Sequence, residues 1–170
     1  MQGNASQRLG VAEVAAANIT QAGCRAWCEP RLLQLFNDDD ADIRREAASC
    51  FRHLAPEPLE DYAALIEAFC DSRAYQADSF SILRTLEQSL RRLPGLTCVV
   101  CEKFLTRFAQ EARDIRTHRA AEAPTVVKLI FRTYHQHQHD RWATTCLDLI
   151  DRMCLEGIQE VSQGLEAFER

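Results

Sequence analysis

Five apolar side chains, Ile43, Ala47, Cys50, Phe51 and Leu54, fall at i, i+4, i+7, i+8 and i+11, and the same spacing returns at Trp142, Cys146, Leu149, Ile150 and Met153. That spacing lines one face of an α-helix over about three turns, where a strand would need alternation. The first of these patterns has a partner just upstream: Leu32, Leu33, Leu35 and Phe36 give the apolar stripe of a short helix. Between the two lie Asn37, Asp38, Asp39 and Asp40. Their side chains compete for backbone groups inside a helix and cap the start of the next one. Leu32 to Leu54 therefore reads as a helical hairpin with an acidic turn, and Ala47-Ala48 leaves room for a neighbouring helix to come close.

The run Asp39-Asp40, Ile43-Arg44, Ala47-Ala48 and Leu54 resembles the HEAT-repeat pattern, in which an acidic turn precedes a Val/Ile-Arg pair, two small residues and a leucine. The match is best over residues 29 to 55. The resemblance implies an all-α fold, a right-handed α-solenoid of antiparallel helix pairs, with Arg44 bonded to Asp39 or Asp40 as part of a packing ladder. Sliding the hairpin back by thirty-six places sets Arg8 on Arg44 and Val11-Ala12 on Ala47-Ala48. Residues 7 to 19 then match the second helix of a preceding repeat whose first helix is missing. The expectation is one helical-repeat domain over residues 1 to 170, a fragment or the C-terminal part of a longer protein.

The rest of the chain reads as further helices. Pro30 suits the first turn of the Leu32 helix. Helices are expected from Pro58 to about Asp71 and from about Asp78 to Leu93, the latter carrying Phe80, Leu83, Leu86, Leu90 and Leu93 on one side. After Pro94-Gly95, a strong break, a long helix is predicted from Leu96 to about Arg113, then a linker or solvated extension from Ile115 to Ala123. Pro124 opens a well-buried helix. His135 to Asp140 forms a turn, Arg141 to Leu155 a helix ended by Gly157, and Val161, Leu165 and Phe168 mark a short last helix that caps the array.

Composition agrees with helices: apolar residues make up 46 %, and there are only six Gly and five Pro. A net charge of −5 and a pI near 5.5 give no general attraction to nucleic-acid phosphates or anionic membranes. The N-terminus lacks a basic start followed by an apolar core, and no run approaches the ~18 apolar residues of a membrane span. Eight cysteines sit mostly at apolar helix positions, among them Cys50, Cys70, Cys146 and Cys154, where cysteine acts as a small hydrophobe. A reducing, cytoplasmic setting follows.

Several clusters could carry chemistry. Cys98 and Cys101 form a CxxC, which can be half of a zinc site or a redox pair, and the other close pair is Cys24 and Cys28. A zinc site would need all four from distant parts of the chain, whereas i, i+3 spacing on an apolar helix side is ordinary core packing. His135, His137 and His139 alternate, but only His135 and His139 share a helical face, and a solvated turn is the expected setting. Asp38, Asp39, Asp40 and Asp42 lack the glycine and terminal glutamate of a calcium loop and read as caps and arginine partners. Asp148 and Asp151 are either surface carboxylates or partners for an arginine of the next helix.

No phosphate loop, nucleophile elbow or zinc-hydrolase motif is present, so no catalytic, cofactor-binding or metal-ligating residues are expected. The expected function is a non-catalytic protein-interaction scaffold or sensor. Its partner would be another protein or another domain of the same polypeptide, with no membrane. Helical arrays of this kind resemble the C-terminal parts of bacterial signalling or defence ATPases, although the ATPase motifs are absent here. The alternative is a nucleic-acid-binding or base-modifying solenoid, since some HEAT-like proteins are DNA glycosylases with a basic groove. Arg45, Arg52, Arg84 and Arg91 would then line one concave surface, against the acidic balance of the chain.

Overall fold

Asn4 starts the first helix with a capping box: its side chain accepts the Gln7 N–H at 2.9 Å, and the Gln7 side chain accepts the Asn4 N–H at 3.1 Å. The computed structural model describes residues 3–54, 59–77, 79–89, 93–111 and 121–168, and every regular element among them is a helix. The chain forms two compact units, Met1–Arg91 and Arg92–Arg170.

The first unit runs α1 (Ala5–Asn18), α2 (Arg25–Leu35), α3 (Ala41–Ala48) and α4 (Cys50–His53), then a single 3₁₀ turn at Leu59–Tyr62, α5 (Ala63–Cys70), α6 (Ala74–Ala77) and α7 (Ser79–Gln88). Ser49 keeps right-handed helical torsions, so α3 and α4 form one nearly continuous rod. Ile43, Ala47, Cys50, Phe51 and Leu54 are all buried along it. Ala12, Ala15 and Ala16 of α1 are buried too, and α1 packs on α2, α3 and α4. Phe69 sits at the centre of an aromatic cluster, with ring centroids 5.2 Å from Phe36, 4.4 Å from Phe51 and 5.5 Å from Tyr75. Burying each such ring contributes about 1.5–3 kcal/mol.

The acidic turn is saturated with bonds. Asp40 caps α3 by accepting the Asp42 N–H at 2.9 Å. Arg44 does not meet the aspartate side chains. Its Nη1 donates to the backbone carbonyls of Asp38 and Asp39, at 2.6 and 2.9 Å. The carboxylates go to other helices: Arg8 of α1 donates twice to Asp38, at 2.8 and 3.2 Å, and Arg73, just before α6, donates to Asp39 at 2.9 Å. Burial acts to raise the Asp38 carboxyl, but the Arg8 bonds and the Asp40 N–H outweigh it and hold the group below the ordinary carboxylate range.

Two cross-links in this unit span the same sequence distance. Arg25 donates to the Asp61 carbonyl, and the Arg73 N–H donates to Asn37 Oδ1 at 3.1 Å; each joins residues 36 apart. That is the shift which sets Arg8 on Arg44.

The structure departs from the sequence reading at three places here. The second helix begins at Arg25, so Pro30 lies inside it rather than in its first turn, and the Ala26 carbonyl loses its usual helical donor. The segment expected as a helix from Pro58 starts as a 3₁₀ turn. In α7, Phe80 points outward and is 43 % exposed, while Ile82, Leu83 and Leu86 are buried.

The second unit comprises α8 (Pro94–Gln110), α9 (Ala123–Gln136), α10 (Arg141–Leu155) and α11 (Glu160–Phe168). Asp140 caps α10 by accepting the Trp142 N–H at 2.8 Å. Its other end closes on Gly157 at φ +73°, where the Ile158 N–H reaches the Met153 carbonyl and the Gly157 N–H that of Cys154. This Schellman closure needs a left-handed residue, hence the glycine. Cys146, Leu149, Ile150 and Met153 face the core, whereas Cys154, expected at an apolar position, is exposed.

Helices α8 and α10 run in the same direction. Cys98 meets Cys146, and Arg152 reaches both Glu102 and Thr106, so paired positions keep a sequence offset of 46 to 50 along the contact. Gly95 permits the approach at one end, because a Cβ there would stand 3.0 Å from the Trp142 ring. The expected linker at 115–123 falls largely outside the described residues, as does Leu90. Among the described residues no helix is long and apolar enough to cross a membrane.

Candidate functional site

Helix α7 carries two faces. Ser79, Ile82, Leu83 and Leu86 turn inward, and Phe80, Arg84 and Gln88, at i, i+4 and i+8, form an outward stripe. The Thr85 hydroxyl fixes the rotation of the helix through 2.9 Å bonds to the carbonyls of Phe51 and Ser81, which ties α7 to α4. Arg52, on α4, then stands across from the stripe, with Nε 3.4 Å from the Ser81 hydroxyl.

Between them lies a cleft of about 410 Å³ lined by Arg52, Leu54, Phe80, Ser81, Arg84, Thr85 and Gln88. The Arg84 guanidinium carbon lies 6.0 Å from the centre of the Phe80 ring. Among the described residues Arg84 has no carboxylate at ion-pair distance. The lining offers two guanidinium groups, an aromatic face and an amide. Such a set can grip a carboxylate or phosphate by paired N–H donors while an apolar group rests on Phe80.

Of the four arginines singled out for a basic groove, Arg52 and Arg84 share this cleft. Arg45 does not line it: on α3 it forms an exposed ion pair with Asp42 at 2.6 Å. Arg91 lies outside the described residues. Sequence reasoning placed Phe80 on the buried side; the stripe at 79, 82, 83 and 86, a tighter helical pattern than 80, 83, 86, 90 and 93, was the signal that would have turned it outward. Compared with known proteins, the chain matches no family model, no curated protein and no solved structure.

The other candidate groups are placed as follows. Cys24 and Cys28 lie in the first unit; Cys98 and Cys101 are buried on α8 of the second. His135 is still within α9, and His137, just beyond it, bonds Asp140 through Nδ1 at 2.7 Å. Burial acts to raise the Asp140 carboxyl, but the Trp142 N–H and the His137 ring outweigh it and hold it below its ordinary range. Asp148 and Asp151 are exposed on α10. Among the described residues no three His, Cys, Asp or Glu side chains converge on a metal position.

A second groove, of about 440 Å³, runs between α1 and α2 beside Trp27. Its arginines are already engaged: Arg8 with Asp38, and Arg31 stacked 4.1 Å from the Trp27 ring while donating to the Trp27 carbonyl. The α4–α7 cleft differs in Arg84, which has no carboxylate at ion-pair distance among the described residues, and on that ground it is the stronger candidate.

Proposed function

We propose that this chain is a cytoplasmic protein-interaction scaffold or sensor built from HEAT-like helical pairs, and that the α4–α7 cleft holds an acidic segment of another protein or of another domain of the same polypeptide. The observation that carries the reading is the outward Phe80–Arg84–Gln88 stripe opposite Arg52, an apolar and cationic surface on a helix whose other face is buried. The two cross-links of the first unit that join residues 36 apart and the parallel α8–α10 pair support stacked helical pairs as the framework. Stacked pairs of this kind present rigid surface rows whose side chains write the specificity.

A displayed library of random peptides tests the reading. Selection on the full chain is expected to enrich peptides with Asp or Glu beside an aromatic or aliphatic residue, and Arg52→Glu with Arg84→Glu is expected to weaken their binding at least tenfold while the helical circular dichroism stays unchanged. Enriched peptides without acidic residues, or binding indifferent to the charge reversal, would overturn it.

A further inference from the structure

Cys98 and Cys146 come from different helices, yet their sulfurs stand 3.9 Å apart, and both residues are buried. The sequence pairs Cys98 with Cys101, its neighbour in the CxxC; the fold gives it Cys146 instead. Contacts on either side hold this juxtaposition in register: Gly95 against Trp142 at one end of the helix pair, and Arg152 with Glu102 and Thr106 at the other. The two sulfurs are thus held together by packing rather than by a chance surface encounter. A disulfide needs about 2.05 Å between sulfurs, so the two must close by about 2 Å on helices already in contact.

We propose that Cys98 and Cys146 form an oxidation site at which a hydroperoxide converts the two thiols to a disulfide, stapling α8 to α10. One sulfur of the pair attacks the peroxide, its S–O bond forms as the O–O bond breaks, and a sulfenic acid and water result. The other sulfur then attacks it; the S–S bond forms, the S–O bond breaks, and the second thiol's proton leaves with the hydroxyl as a second water. Two electrons pass from the thiol pair to the peroxide, and with hydrogen peroxide the products are one disulfide and two waters. Because both sulfurs are buried, the oxidant enters through local opening of the helix pair, and exposed Cys154 reacts sooner.

The test treats the reduced full chain with hydrogen peroxide, blocks the remaining thiols with an alkylating agent, and digests with trypsin without reduction. Mass spectrometry is expected to find the peptide of residues 93–103 linked to that of residues 142–152, with the loss of two hydrogens and release by dithiothreitol. Cys101→Ala is expected to retain the link, and Cys98→Ala and Cys146→Ala to lose it, with circular dichroism confirming that each variant is folded. The oxidised chain is expected to melt at a higher temperature than the reduced one. Oxidation of Cys154 with no such link in the native chain, or a link that persists in folded Cys98→Ala, would overturn the proposal.

Discussion

Asp38 shows how one carboxylate can serve two purposes. It accepts the Asp40 N–H within its own turn at 3.0 Å and receives the forked guanidinium of Arg8 from another helix. Its folded-state affinity for protons is depressed, so its contribution to stability is present above the ordinary carboxylate range, near pH 3.9, and is lost as pH falls through the lower folded value. Asp38→Asn keeps the shape and removes that linkage. The variant is expected to be less stable than the native chain at neutral pH, with the difference shrinking as pH falls through the lowered folded value of the native carboxyl. Urea unfolding across this range measures it, and parallel curves for the two proteins would contradict it. Arg44 is a subtler case. The sequence put it beside the turn aspartates, which is where it lies, but its donors take the carbonyls because the carboxylates are committed to Arg8, Arg73 and the α3 cap.

At the scale of elements, fit depends on small residues where helices touch. Gly164 of α11 lies against the Phe131 ring of α9, so close that a Cβ would come within 2.8 Å of it. Adding a branched side chain there forces α11 or the ring to move. Gly164→Val gains a few tenths of a kcal/mol in helix propensity but incurs overpacking of about 1–3 kcal/mol. The expected outcome is a net loss of about 1–2 kcal/mol, together with faster amide exchange across α11; a variant as stable as the native chain would show that the contact relaxes freely. Helix α7 makes the complementary point. Its helical character and its start near Asp78 were legible in the sequence, but it ends at Gln88 where Leu93 was expected, and which residues faced out depended on its rotation, which the Thr85 bonds to Phe51 and Ser81 set.

At the scale of the whole molecule, charge supplies the test that separates the proposed protein partner from a nucleic acid. With a net charge of −5 and two arginines in the cleft, one of them, Arg52, already bonded, at most about two phosphates can be neutralised there. Duplex DNA binding is therefore expected to be absent at about 150 mM salt, and any binding at low salt should fall with a log–log slope no steeper than about −2. A steeper slope, reduced by Arg52→Glu and Arg84→Glu, would favour the nucleic-acid reading over the protein one.

The amino-acid sequence by itself determined the helical class, the acidic turn with its cap at Asp40, the buried face from Ile43 to Leu54 and the bounds of the helix from Arg141 to Leu155. These are local properties, written in the period of the apolar residues and in side chains within a turn of the backbone groups they bond. Only the tertiary structure decided that Arg8 takes Asp38, that Phe80 and Arg84 face Arg52, and that Cys98 meets Cys146. Each of those pairings depends on the offset and rotation of one helix against another, which packing sets through contacts such as Gly95 on Trp142 and which no local period records.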